Sequence, residues 1–73
     1  MQYIPAPSLK VGDVIAVIRN GVEVHKRINA ITERPRFDRD RSIYFQLEGD
    51  RQVINWRKSR HGHLKAKLVS EAV

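Results

Sequence analysis

The sequence predicts a small all-β domain, folded as a single five-stranded barrel or sandwich. The chain has 73 residues, which is the length of one small domain. Apolar residues recur with a period close to two in most segments, as they do in half-buried strands. Two dipeptides, Asn20–Gly21 and Gly49–Asp50, are typical of the tight turns that join neighbouring strands. Short strands joined by tight turns in so short a chain favour the all-β class.

The first predicted hairpin has its turn at Asn20–Gly21. Residues 13–19 are rich in Val and Ile, whose branched side chains favour an extended backbone. Both turn residues accept the positive φ that a type I′ turn requires. The second strand then runs from residue 22 to about residue 32. Lys26 interrupts its apolar face, so we expect a bulge or bend nearby. That apolar face carries Val22, Val24, Ile28 and Ala30.

A charged loop and a second hairpin follow. Residues 33–41 contain Pro35 and show no apolar period, so we expect an exposed loop. Residues 42–48 alternate cleanly and form the third strand. Gly49–Asp50 turns the chain into a fourth strand at residues 52–57. The inward side chains of the third strand are predicted to be Ile43, Phe45 and Leu47.

The last predicted strand follows a basic loop at residues 58–63. Residues 64–69 alternate, with Leu64, Ala66 and Leu68 facing inward and both lysines facing outward. An amphipathic helix over residues 64–73 is the competing interpretation, because short terminal elements are weakly specified by sequence.

A family resemblance lies at the start of the first strand. The segment Leu9-Lys10-Val11-Gly12-Asp13-Val14-Ile15 resembles the entry of SH3-like barrels, including the KOW and Tudor-type modules. In that group a glycine-aspartate pair begins the first barrel strand, and the hairpin order is similar over about residues 9–69. The resemblance implies a barrel scaffold, and a scaffold alone does not set the function. We therefore expect one domain at 9–69, a weakly ordered arm at 1–8 and a tail at 70–73.

The positive charge is concentrated in the last third of the chain. Lys and Arg number 14 and Asp and Glu number 8, a net charge of +6. Residues 51–70 contain six basic residues and no acidic residue, whereas residues 1–50 contain eight basic and seven acidic residues. A one-sided basic surface indicates a polyanionic partner, and nucleic acid is the partner that we expect.

The predicted site is a basic face that contacts phosphates. Spaced cations along a nucleic-acid backbone release condensed counterions and so favour binding. Tyr44 is predicted to be exposed on its strand and to stack on a base. For Trp56 two roles stay open, a core residue or a stacking platform, and the core role is favoured. The main phosphate contacts are predicted to be Arg57, Lys58, Arg60, Lys65 and Lys67, with Arg27 next.

Several other functions lack a sequence signal. The chain has no cysteine, which excludes disulfides and cysteine-ligated zinc and fits a cytoplasmic location. His61 and His63 alone do not fill a four-ligand metal site, so we expect no metal and no cofactor. No glycine-rich phosphate loop or paired carboxylates are present, so the chain is predicted not to be an enzyme. No apolar run is long enough to span a bilayer, and no membrane partner is expected.

Two other interpretations of the surface stay open. The first is a protein-interaction module, for example an accessory protein of a virus or mobile element that docks on a host factor. Exposed strand edges are a surface on which such a partner strand could pair. The second is a solvated polar face with no ligand, since net charge also serves solubility. The oligomeric state is not predicted.

Overall fold

The computed structural model of the chain describes residues 2–35 and 40–73, in which most residues lie in strands. The all-β class is confirmed. The described part of the chain has six strands rather than five, together with a 3₁₀ turn at Ala6–Ser8 and one four-residue helix, α1, at Lys58–His61. The strands are β1 (Gln2–Pro5), β2 (Val14–Arg19), β3 (Val22–Pro35), β4 (Arg41–Leu47), β5 (Ile54–Arg57) and β6 (Lys65–Ser70).

All six strands form one antiparallel sheet in the order β1-β6-β2-β3-β4-β5. Among the described strands β1 and β5 are the two edges, so the sheet is open, and the predicted five-stranded barrel or sandwich is wrong in this respect. The sixth strand comes from Gln2–Pro5, which the sequence analysis assigned to a weakly ordered arm. In β1 Ile4 lies opposite Ala66 of β6 and packs against the core.

The sheet curves around a single core. Ile15 of β2, Phe45 of β4 and Leu68 of β6 belong to the same buried cluster, although β3 separates β2 from β4 in the sheet. A flat sheet would hold these side chains apart, so the shared cluster requires curvature. The predicted inward positions of β4 are confirmed. The buried apolar residues are Ala6, Leu9, Ile15, Ile28, Ile43, Phe45, Leu47 and Leu68.

The first hairpin follows the sequence prediction closely. Asn20 and Gly21 have φ of 53° and 77°, and they join β2 to β3 directly. The predicted bulge in β3 is present, but it lies at Asn29 rather than near Lys26. Lys26 stays on the core-facing side opposite Ile15, and its ammonium lies 3.4 Å from Asp50 at the rim. Because Asn29 is an extra residue in β3, Ala30 points to the outer face of the sheet and is exposed.

Several other boundaries differ from the prediction, among them the start of β5, which lies at Ile54 rather than at residue 52. Glu33–Pro35 extend β3 and Arg41 begins β4, although the prediction placed residues 33–41 in a loop. Residues 36–39 of that loop lie outside the described residues. The carboxylate of Glu33 pairs with the Arg41 guanidinium across the two strands, which favours this extension. Residues 65–70 form a strand, so the helical alternative is wrong. Leu64 precedes that strand and is 51% exposed rather than inward.

A buried carboxylate fastens the start of β2 to the C-terminus. Asp13 is 1% exposed and accepts backbone N–H groups of Lys10 at 2.9 Å and Ala72 at 2.7 Å. Gly12 before it has φ of 96°, which glycine adopts at little cost. A side chain there would also meet the Cβ of Ala72 at 3.0 Å. The glycine-aspartate pair therefore has a structural role, which links the tail to the domain.

Candidate nucleic-acid interface

Two of the predicted phosphate contacts are paired with acidic residues. The Lys67 ammonium lies 2.8 Å from a carboxylate oxygen of Glu23, which is on β3 across β2. The Arg57 guanidinium lies 3.7 Å from the carboxylate of Asp40. A cation that already faces a carboxylate offers less attraction to a phosphate, because the acid repels the same ligand. These two residues are weaker candidates than their sequence positions suggest.

Four of the predicted contacts, Arg27 among them, have no such partner in the described part of the chain, and the other three lie in α1 and β6. Lys58 and Arg60 lie on α1, Lys65 begins β6, and all three are exposed. Within the part of the chain that the structure describes, no carboxylate lies within ion-pair distance of any of them. We call Lys58, Arg60 and Lys65 the cation cluster.

Hydrogen bonds hold the turn that carries the cation cluster. The indole Nε1–H of Trp56 donates to the carbonyl of His61 at 3.0 Å. The backbone N–H of Arg57 donates to the ring Nδ1 of the same His61 at 3.0 Å. Accepting at Nδ1 places the ring proton on Nε2. At the other end of α1 Ser59 donates its backbone N–H and hydroxyl to Asp40 at 3.0 Å and 2.6 Å. The turn is therefore tied both to the end of β5 and to the residue before β4.

A cavity of about 540 Å³ opens beside this turn. It lies where the two edges of the curved sheet approach each other, between the β1 side and the β5–α1 side. Pro5 lines it and is the register partner of Lys65, so the cavity adjoins the cation cluster on β6. We call it the α1 cavity. Its lining residues are Pro5, Pro7, Arg41, Trp56, Lys58, Ser59, Gly62 and His63.

Trp56 separates the α1 cavity from the core. It lines the α1 cavity and also a smaller, mainly apolar cavity of about 200 Å³ that reaches Ile15 and Phe45. The side chain is half-buried and packs against the core cluster. Both roles that the sequence left open for this residue are thus compatible with its position.

Arg27 and Tyr44 lie away from the cation cluster. Arg27 is opposite Val14, whose β6 partner is Ser70, five residues or about 16 Å along the strand from Lys65. Tyr44 is on β4 and only half-exposed. The guanidinium of Arg34 lies 5.1 Å above the centre of its ring, a cation–π arrangement. The exposed position predicted for Tyr44 is therefore only partly available, and one face of its ring is occupied.

The partners of the paired acids lower the pKa of the carboxyl groups of Glu23 and Asp40. The pKa of Glu23 is lowered, first by the hydrogen bond from Lys67 and then by that from His25. The same pairing raises the pKa of Lys67. The pKa of Asp40 is lowered chiefly by the hydrogen bond from the Ser59 hydroxyl. Glu23 and Asp40 consequently keep their negative charge over a wider pH range than ordinary carboxyl groups.

We expect the substitution Lys67→Gln to raise the pKa of the Glu23 carboxyl toward its ordinary value. The hydrogen bond from Lys67 is the largest cause of the lowering, and an amide supplies a weaker one. The measurement is a carboxyl-carbon NMR titration. Folding lowers this pKa, so the pair stabilises the fold above the ordinary carboxyl pKa and the effect fades as pH falls through the Glu23 pKa. Lys65→Gln is the matched control and leaves the Glu23 titration unchanged; an equal shift in both variants contradicts the pairing.

Sequence reasoning did not find the α1 cavity. Its walls come from residues 5 and 7, residue 41 and residues 56–63, and they meet only because the sheet curves. Among residues 2–35 and 40–73 no cluster of three or more His, Asp or Glu suited to a metal occurs. No helix of the described chain has the length and apolar character to cross a membrane.

Comparison with known proteins gives no relative for this chain: no family model, no curated protein and no solved structure matches it. The resemblance of its first strand to SH3-like modules therefore stays a prediction.

Proposed function

We propose that this protein binds nucleic acid through the cation cluster, mainly by contacts to phosphates. The observation that supports the proposal is that Lys58, Arg60 and Lys65, which have no acidic partner among the described residues, fall within the short stretch from α1 to the start of β6. The other described cations without an ion pair, such as Lys10, Arg27 and Arg51, lie on separate segments. Unpaired cations leave a positive potential at one place, which attracts the charged backbone of a nucleic acid.

The chemistry of the three side chains suits phosphate. The Arg60 guanidinium presents several N–H donors in a fork that matches two phosphate oxygens, and the lysines act as point charges. Such contacts position a strand without reading its sequence, so limited sequence preference is expected. Arg57 and Lys67 become secondary contacts, and Arg27 a separate one. The scaffold type within the all-β class and the cytoplasmic location remain part of this proposal.

A protein partner is the second candidate. β5 is an edge strand of the sheet, and it is flanked by apolar side chains that are half exposed, Val53 at 49% and Leu64 at 51%. An exposed edge with apolar neighbours can accept an added strand from another protein.

Amide NMR with the ¹⁵N-labelled chain and a ten-nucleotide oligonucleotide tests the proposal. Shift changes that saturate with added oligonucleotide and concentrate at residues 56–65 and at β1 are expected, because the cation cluster and the α1 cavity lie there. Shift changes confined to β3 and β4, around Arg27 and Tyr44, would place the interface elsewhere. An unchanged spectrum at excess oligonucleotide would reject nucleic-acid binding.

A further inference from the structure

We infer that the preferred ligand is a single strand, DNA or RNA, of which one unpaired base enters the α1 cavity and stacks on Trp56 while the cation cluster holds the adjoining phosphates. This inference rests on the proposed function and adds to it the strandedness of the ligand and the role of the cavity.

The size and walls of the α1 cavity suit a planar ring with a polar edge. Its volume of about 540 Å³ lies within the range of small-ligand pockets. Pro5, Pro7 and the Trp56 indole give it flat apolar walls. The His63 ring supplies nitrogen atoms that form hydrogen bonds, and Lys58 supplies positive charge. Ser59 and Arg41 also line the cavity, but Ser59 donates to Asp40 and Arg41 is paired with Glu33. A nucleotide carries the three complementary elements, which are a flat ring, polar ring atoms and a negative phosphate.

The Trp56 ring is fixed before any ligand binds. Its Nε1–H is held by the carbonyl of His61 at 3.0 Å, and its other side packs against the core. A ring fixed in this way loses little conformational freedom when a base stacks on it. Tyr44 is less suited to the same role, because Arg34 already occupies one face of its ring.

The cavity discriminates between single and double strands. Bases of a duplex are paired and stacked inside the helix, so they cannot enter a cavity without being extruded. Bases of a single strand can unstack from their neighbours and stack on an aromatic side chain instead. The phosphates of both forms reach Lys58, Arg60 and Lys65, and only the single strand also fills the cavity.

Tryptophan fluorescence tests this inference in the unmodified protein, because Trp56 is the one Trp in the chain. The probes are ten-nucleotide oligothymidine, ten-nucleotide oligouridine, a ten-base-pair DNA duplex and an abasic strand of ten phosphates. The two base-bearing single strands are expected to quench the fluorescence and to bind about 10-fold more tightly than the duplex and the abasic strand, since one stacked base adds about this factor. Comparison of the first two probes shows whether DNA or RNA is preferred.

The outcomes separate the inference from the proposed function. Binding of every probe with equal affinity and no quenching would overturn base insertion and leave phosphate binding intact. No binding of any probe would overturn both. Because Trp56→Phe and Trp56→Ala contain no Trp, their affinities are measured by fluorescence anisotropy of labelled probes. Trp56→Phe keeps a ring in place and is expected to retain the preference for single strands, whereas Trp56→Ala is expected to lose it. Tyr3→Ala removes an aromatic ring that is exposed outside the cavity, and it is the matched control that keeps the preference.

Discussion

Replacing Ile28 by alanine is expected to lower the free energy of unfolding by about 3 kcal/mol. Ile28 is 0% exposed and belongs to the core cluster. Its backbone N–H donates to the carbonyl of Asp13 and its carbonyl accepts from Gly12, both at 2.8 Å, so the backbone is held and the site cannot collapse freely. Truncating a buried Ile to Ala costs about 2–5 kcal/mol, which includes the cavity left behind. The free energy of unfolding of a domain of this size is roughly 4–11 kcal/mol, so the substitution removes a large part of the stability.

Urea unfolding followed by circular dichroism measures this effect, with Ile18→Ala as the matched control. Ile18 is the same residue type, but it is 63% exposed near the end of β2. Its truncation is expected to change the free energy of unfolding by no more than about 0.5 kcal/mol. Equal losses in the two variants would contradict the placement of the core.

Replacing all three residues of the cation cluster by glutamine is expected to weaken the binding of a single strand about 100-fold at 0.1 M salt. Each phosphate contact on a single strand contributes a slope of about 0.7 to log affinity against log salt. Three contacts therefore contribute about two powers of ten between 1 M and 0.1 M salt. Fluorescence anisotropy of a labelled oligothymidine measures the affinity of the variant.

The matched control removes the same net charge from paired cations. A triple variant with glutamine at Arg19, Lys26 and Lys67 also lowers the net charge by three, but each of these side chains faces Asp50 or Glu23. We expect its affinity to stay within about 10-fold of the original protein, because Arg19 and Lys26 lie outside the proposed contact and Lys67, a secondary contact, already faces Glu23. If the two triple variants lose affinity equally, net charge rather than the cation cluster determines binding.

The first hairpin was predictable because local residues determine it, whereas the predicted tight turn at Gly49–Asp50 is a longer connection over residues 48–53 that leads to Ile54. Asn20 and Gly21 set the turn by their tolerance of positive φ, and the alternation of Ile43, Phe45 and Leu47 set the buried face of β4. β1 was missed because four residues ending in Pro5 show little periodicity, and their pairing with β6 depends on a partner some 60 residues away. The bulge was placed near Lys26, although the long side chain of Lys26 reaches Asp50 at the rim and needs no bulge.

The candidate site was predictable only in part, for an electrostatic reason. The sequence shows that residues 51–70 contain no acid, but not that Glu23 and Asp40 come from earlier segments to pair with Lys67 and Arg57. Charge along a chain therefore overestimates charge at a surface. Asp40 contacts α1 through Ser59, but Lys58, Arg60 and Lys65 form no ion pair with any described acid, so the cation cluster keeps its charge.

The salt dependence of oligothymidine binding by the original protein and the two triple variants tests the central claim most directly. Affinities are measured between 0.05 M and 0.5 M salt. The original protein is expected to show a slope of log affinity against log salt of about −2 or steeper. The magnitude of this slope is expected to fall by about 2 in the cation-cluster variant, and by no more than about 0.7, the share of one contact, in the control variant. A slope near zero for the original protein, or the same reduction in both variants, would contradict phosphate binding by Lys58, Arg60 and Lys65.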